Sequence, residues 1–174
     1  ITLTNQLAGD ARGIEQLVFE ADGILTKNEL QTMALQAQAT DGNDAITGTV
    51  NGDSISGGLG NDTLSGGAGN DNYYYSSGDD VIVETADKRF DQLVFSSGIS
   101  AGDIEYAIDP LNTNDLLLKL SNGNQIRLQN QMVDGGVEAV LFADGTTVSR
   151  TEIAALASQS SQTDGNDTVV GSGV

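Results

Sequence analysis

The chain has 174 residues and carries 25 acidic against 7 basic side chains, which gives a formal net charge of −18. A surface this acidic disfavours nucleic acid and anionic membranes as partners and favours cations. Because the chain has neither Cys nor His, it lacks the usual ligands of zinc and haem and the residues of Ser-His-Asp or Cys-His catalysis. No apolar run reaches the length of about 18 residues that a membrane span needs, so no membrane insertion is predicted.

The N-terminal part predicts a strand, a turn and a helix in that order. Residues 14–20 form a largely apolar run, and Ala21-Asp22-Gly23 is typical of a tight turn. Thr26 and Glu29 have the spacing of a capping box, which marks the start of a helix. The residues after this box place four apolar side chains on one helical face, namely Leu30, Met33, Ala34 and Ala37.

The next segment repeats an aspartate every nine residues. The repeated positions are Asp44, Asp53, Asp62, Asp71 and Asp80. Two residues after each aspartate stands an apolar or aromatic residue, in the order Ile46, Ile55, Leu64, Tyr73 and Ile82. Such a period predicts a coil of short strands whose apolar side chains point inward. If alternate repeats lie on opposite sides of this coil, turns stack at a separation of 18 residues, which pairs Asp44 with Asp62, Asp53 with Asp71 and Asp62 with Asp80.

The repeats suit a calcium site, because calcium takes about six to eight oxygen ligands from carboxylates and backbone carbonyls. Glycine-rich turns can aim carbonyls inward, and two stacked turns can complete a shell that one turn cannot. The predicted metal site consists of Asp44, Asp53, Asp62, Asp71, Asp80, Gly42, Gly58, Gly60, Gly67, Gly69, Asn51 and Asp167. Turn-forming aspartates beside Gly and Asn are the alternative interpretation. Without the metal the carboxylates would repel each other, so we expect folding to be coupled to calcium binding.

Tyr73, Tyr74 and Tyr75 stand at the end of the repeats and allow two interpretations. Strand alternation predicts that Tyr73 and Tyr75 pack inward while Tyr74 faces water, and we favour this over a sugar-binding platform. A glycan partner is therefore possible but unsupported. The paired acids Asp79 and Asp80 could suggest a glycosidase dyad, but no apolar cleft with convergent carboxylates can be argued, so we expect no enzyme activity.

After the repeats, the sequence predicts four strands at residues 91–96, 103–108, 115–120 and 124–129. Asn122-Gly123 between the last two is typical of a tight hairpin turn. A further strand is predicted at residues 137–143, followed by a turn at Ala143-Asp144-Gly145 and a helix with a second capping box, Ser149 to Glu152.

A longer period is also present, because residues 14–51 align without gaps on residues 137–174, an offset of 123. Thr40-Asp41-Gly42-Asn43-Asp44 matches Thr163-Asp164-Gly165-Asn166-Asp167 in this alignment. A fixed period of this kind predicts tandem modules in an array, with Asp167 beginning another ladder of aspartates. Chance recurrence of two common sequence patterns is the alternative.

The repeats resemble the RTX family, the haemolysin-type calcium-binding nonapeptides written GGxGxDxUx. Residues 57–65 and 66–74 match the whole motif, although Tyr73 replaces the usual aliphatic residue, whereas the flanking copies lack one or more glycines. Residues 91–153 are similar to the strand-rich region that often follows such repeats. The resemblance implies a parallel β-roll with calcium between its turns. It also implies type I secretion from a Gram-negative bacterium and folding outside the cell.

The sequence thus predicts a mainly β fold: a parallel β-roll or β-solenoid followed by antiparallel strands, with a short helix before each roll. The predicted organisation is a tail of a preceding module (1–39), the calcium-binding β-roll (40–83), a strand-rich region with a terminal helix (84–163) and the start of the next roll (164–174). The expected function is a calcium-binding structural repeat of a large secreted fibre, surface-layer or adhesin-like protein, with possible self-assembly into filaments. The alternative is the calcium-dependent C-terminal region of a type I-secreted lipase, protease or polysaccharide-modifying enzyme.

Overall fold

The computed structural model describes residues 16–19, 23–85, 89–96 and 98–160, and these residues form a mainly β fold. Its strands are β1 (Gln16–Phe19), β2 (Gly23–Thr26), β3 (Ala45–Thr47), β4 (Ser54–Ile55), β5 (Thr63–Ser65), β6 (Asn72–Tyr75), β7 (Asp80–Val83), β8 (Gln92–Phe95), β9 (Ile104–Ile108), β10 (Leu116–Leu120), β11 (Gln125–Gln129), β12 (Ala139–Leu141) and β13 (Thr147–Ser149). The helices are α1 (Lys27–Gln36), α2 (Arg150–Ser160) and a single 3-10 turn at Ala101–Asp103. None of the described helices has the length and apolar character needed to cross a membrane.

Successive nonapeptides send their strands alternately to two sheets. One sheet has the order β3-β5-β7-β11-β10-β9 and the other has the order β13-β12-β8-β6-β4. Ala45 lies opposite Thr63, Thr63 opposite Val81, and Ser54 opposite Asn72, all in parallel register. These partners are 18 residues apart, which confirms the predicted stacking of every second repeat.

The strands that follow the repeats extend the same two sheets. Strand β11 pairs in parallel with β7, and β12 pairs in parallel with β8. Among themselves, β9, β10 and β11 are antiparallel, as are β12 and β13. The predicted antiparallel strands are therefore present, but they share sheets with the repeats because their edges continue the backbone hydrogen bonding of β7 and β8.

The core lies between the two sheets. Ile46, Leu64 and Ile82 come from one sheet, and Ile55 and Tyr73 come from the other. All five are buried and belong to one apolar cluster. The residue two places after each repeated aspartate is therefore a core residue, as the sequence predicts. At the end of the repeats the ring of Phe95 packs edge-on against Tyr75 and stacks on Phe142.

Both helices begin at the predicted capping boxes. The Thr26 side chain accepts from the Glu29 backbone N–H, and Glu29 in turn accepts from the Thr26 backbone N–H at 2.7 Å. Ser149 and Glu152 make the same pair of bonds ahead of α2. Helix α1 packs against β2 and β4, whereas α2 packs against β9 and β13. The helices therefore contact opposite ends of the sheet stack.

The strand predictions at residues 91–129 are confirmed to within one residue at every boundary. Strands β2 and β13 were not predicted from the sequence, because each is a short run between a turn and a capping box. Of the predicted tail at residues 1–39, residues 1–15 and 20–22 lie outside the described residues, and so does the predicted next roll at residues 164–174, including Asp167.

Candidate metal centre

Glycines shape the turns that join a strand of one sheet to the next strand in the other. In the turn at residues 57–62, Gly58 has φ 96° and Gly60 has φ 104°. In the following turn, Gly67 has φ 93° and Gly69 has φ 134°. Residues with a Cβ rarely adopt these angles, so the two complete motif copies need their glycines for conformation as well as for space.

Stacked turns bring backbone carbonyls of one turn against glycines of the next. A Cβ placed on Gly58 would overlap the carbonyl oxygen of Thr40, and one on Gly60 would overlap that of Gly42. The same relation holds one repeat later between Gly67 and Thr49 and between Gly69 and Asn51. The predicted ligands Gly42 and Asn51 therefore lie with their carbonyls at the interface between turns, while the Asn51 side chain is exposed.

The aspartates form two columns, one beside each sheet. In the first column, the Asp44 N–H donates to Asp62 Oδ1 at 2.9 Å, and the Asp62 N–H donates to Asp80 Oδ1 at 3.0 Å. In the second column, the Asp53 N–H donates to Asp71 Oδ1 at 2.7 Å. One carboxylate oxygen of each acceptor is thus held by the backbone of the preceding turn, which confirms the predicted pairs.

Most of these carboxylates are shielded from solvent. Asp53, Asp62, Asp71 and Asp80 are buried, whereas Asp44 at the start of the first column is half-buried. The Oδ2 atom of Asp62 has no hydrogen-bond partner among the described residues. This oxygen lies where a Cβ on Gly57 would be, so the glycine makes room for it.

Two features of this turn suit a calcium ion: its ligand atoms are all oxygens, and one buried carboxylate oxygen, Asp62 Oδ2, has no hydrogen-bond partner among the described residues. Leaving a buried carboxylate oxygen without a partner costs free energy, and a bound cation removes that cost. The neighbouring donors are carboxylates and carbonyls, which are hard oxygen ligands suited to calcium rather than to zinc or copper. The predicted ligand residues Asp62, Gly58 and Gly60 share one turn, so they can act together.

The second column continues beyond the predicted repeats. The Asp71 N–H donates to Asp91 Oδ1 at 2.8 Å, and the Asp91 N–H donates to Glu138 Oε2 at 2.8 Å. Asp71, Glu84 and Asp91 are all buried, and each places one carboxylate oxygen within 4.8 Å of the others. This acidic centre also contains three residues that were not predicted from the sequence, namely Glu84, Asp91 and Glu138.

A signal for Asp91 was present in the sequence. Asp91 is followed two residues later by Leu93, the same spacing as in the nonapeptides, but it comes 20 residues after Asp71 instead of 18. The two extra residues break the period that identified the other aspartates. Glu84 does not follow the nine-residue period, so the sequence does not mark it. In the fold, its carboxylate accepts a hydrogen bond from the buried Tyr73 hydroxyl.

Burial and crowding of like charges raise the pKa of two carboxyl groups. The pKa of Asp80 rises to about 6, mainly because the group is buried and also because Asp62 and Asp79 are near. The pKa of Glu84 rises to about 7, mainly through burial, with the charges of Asp91 and Asp71 adding to the effect. Burial likewise raises the pKa of the Tyr73 hydroxyl. Negative charge is therefore unfavourable here unless a cation compensates it.

The tyrosines follow the predicted alternation. Tyr73 and Tyr75 are buried, while Tyr74 keeps 37% of its surface exposed. The inward packing that the sequence favoured over a sugar platform is confirmed. Asp79, next to the column residue Asp80, accepts a hydrogen bond from the Gln125 backbone N–H at 2.9 Å and helps to join the repeats to β11.

Stacked turns at a fixed spacing, with a buried aspartate in every turn after the first, define the central segment as a calcium-binding repeat of the β class. Residues 47–82 match the family model of the RTX calcium-binding nonapeptide repeat (4 copies), which confirms the resemblance for this segment. RTX nonapeptide repeats bind calcium, so the cofactor is Ca²⁺. A search of curated proteins finds no match to the chain.

Proposed function

We propose that the chain is a calcium-stiffened structural module of a secreted protein built from tandem copies. The observation that carries this proposal is that the segment repeated at an offset of 123 forms the same hairpin twice. Gln16 lies opposite Thr26 in the first hairpin, and Ala139 lies opposite Ser149 in the second. These are equivalent positions in the sequence alignment, and each hairpin leads directly into a capped helix.

In this proposal the acidic turns bind and orient the ion. Carboxylates from the columns and carbonyls between stacked turns supply the ligands, and Asp62 offers an Oδ2 atom that has no hydrogen-bond partner among the described residues. Bound calcium supplies the positive charge that lets these carboxylates remain ionised and close together. Asp167 is proposed to begin the corresponding calcium site in the next copy.

The cellular setting belongs to the same proposal. RTX repeat proteins are typically secreted. Calcium outside the cell would then trigger folding after type I secretion from a Gram-negative bacterium. We place the module in a fibre, surface-layer protein or adhesin, with copies meeting end to end and assembling into filaments. No catalytic role is proposed, because the acidic side chains of the columns already hold the backbone of adjacent turns.

A two-module fusion tests the tandem arrangement. Residues 1–146 are joined to residues 24–174, which keeps the offset of 123. We expect small-angle X-ray scattering in calcium to show one extended particle of defined length, and to show an expanded chain in calcium-free buffer. A profile in calcium that fits two freely jointed modules would contradict the tandem proposal. The same fusion in magnesium is the control.

A further inference from the structure

The repeats differ at the position four residues before each aspartate. Gly58 and Gly67 stand there in the two complete copies, whereas Thr40 and Thr49 stand there in the two copies before them. The glycines have positive φ. Among the described residues, Asn130 is the single non-glycine residue with positive φ, so the threonine turns have a different backbone conformation.

Each threonine uses two donors to hold the second oxygen of its aspartate. The Thr49 N–H donates to Asp53 Oδ2 at 2.6 Å, and the Thr49 hydroxyl donates to the same atom at 2.8 Å. Thr40 binds Asp44 Oδ2 in the same way, at 2.7 Å and 2.9 Å. These hydrogen bonds replace the water molecules that would otherwise donate to the charged oxygen.

Asp62 differs from Asp53 in the hydrogen bonding of its second carboxylate oxygen. Asp53 is 5% exposed and Asp62 is 1% exposed, so burial does not distinguish them. Both belong to the columns, since Asp62 Oδ1 accepts from the Asp44 backbone N–H and the Asp53 backbone N–H donates to Asp71 Oδ1. The difference is that Asp62 Oδ2 has no hydrogen-bond donor among the described residues, while Asp53 Oδ2 has two.

We propose that Thr40 and Thr49 take the place of calcium in the first two turns, so that the turns with glycine at this position hold the ions. This inference rests on the proposed calcium-binding function and specifies where in the repeat the ions bind. The aspartates of the first two turns then need no ion of their own. Asp53 acts in it as a structural residue and Asp62 as a ligand.

The test counts calcium ions bound to the full chain by isothermal titration calorimetry and equilibrium dialysis. Thr49→Gly removes the hydroxyl and completes the paired glycines after Gly48, so the number of bound ions should rise by one. Thr49→Ser keeps the hydroxyl and is the matched control, with an unchanged count. An unchanged count for a folded Thr49→Gly protein would overturn the inference.

A second pair of variants keeps the test decisive if Thr49→Gly fails to fold. Asp62→Asn should lose at least one ion, and Asp53→Asn should lose none. Equal losses in the two variants would overturn the assignment of Thr49 while leaving the calcium-binding function intact. Failure of the wild-type chain to bind calcium would instead refute the proposed function itself.

Discussion

At the scale of single residues, Tyr73 connects the apolar core to the acidic centre. Its ring is buried between the sheets, and its hydroxyl accepts from the Gly66 backbone N–H and donates to Glu84. Gly66 leaves room for this arrangement, because a Cβ there would overlap both the Asp71 carboxylate and the Tyr73 hydroxyl. One hydroxyl thus satisfies a turn amide and a buried carboxyl group together.

Tyr73→Phe should destabilise the calcium-loaded protein by about 2 kcal/mol, because two buried polar groups lose their partner. Urea unfolding followed by circular dichroism measures the change. Tyr74→Phe is the matched control, since that ring is partly exposed, and its unfolding midpoint should stay at the wild-type value. Equal effects of the two substitutions would show that the Tyr73 hydroxyl has no special role.

Acidification should stabilise the calcium-free fold. The pKa of Asp80 is raised from 3.8 to about 6 and that of Glu84 from 4.5 to about 7 in the folded chain. Between about pH 4 and pH 7 the folded chain therefore binds more protons than the unfolded chain, so the free energy of unfolding increases as the pH falls. We expect the calcium-free chain, which is unfolded at pH 7.5, to gain β signal in far-UV circular dichroism when the pH is lowered to 5.5.

The control for this pH effect is the double variant Asp80→Asn, Glu84→Gln, in which the stabilisation on acidification should largely disappear. Calcium affinity should change in the opposite direction, because carboxylate ligands must be deprotonated to bind the ion. A β signal that stays constant or decreases on acidification of the calcium-free chain would contradict the raised pKa values.

At the scale of elements, the glycines of each turn leave the space that the aspartate carboxylate occupies. Gly57→Ala should weaken calcium binding about tenfold or more, because the added methyl group would overlap the Asp62 carboxylate. Gly102→Ala is the matched control, since a Cβ there meets no atom within 4 Å. Calorimetric titration of both variants checks the prediction, and equal affinities would refute the role of the Gly57 space.

Helix α2 is held by one buried face. Ile153 and Ala157 are fully buried, whereas Leu156 keeps 40% of its surface exposed. Ile153→Ala should therefore lower the free energy of unfolding by about 2–4 kcal/mol, and Leu156→Ala should lower it by less than about 1 kcal/mol. Urea unfolding in calcium measures both, and a larger effect at Leu156 would show that α2 is packed differently.

Much of the architecture follows from local sequence rules. The nonapeptide period predicts the strand register, and the capping boxes predict both helix starts, because each depends on residues close in sequence. Asp91 and Glu138 could not be predicted as column members, because their positions depend on a two-residue insertion and on the distant pairing of β12 with β8. The sequence shows Thr49 where the motif has its second glycine. It does not show that the Thr49 hydroxyl donates to Asp53, because this depends on the folded turn.

At the scale of the whole molecule, a net charge of −18 opposes compaction. The fold concentrates part of this charge in two buried columns of carboxylates between stacked turns. Both sheets run from the repeats into the later strands, so order in the turns supports order in residues 89–96 and 98–160. Calcium binding in the repeats should therefore control folding well beyond residues 47–82.

The most direct test of this account is a calcium titration of the full chain followed by far-UV circular dichroism. We expect β signal to appear cooperatively with calcium, to stay absent with magnesium, which requires a tighter octahedral shell, and to be strongly reduced in Asp62→Ala. A chain that is fully folded in calcium-free buffer and unchanged by calcium would contradict the account.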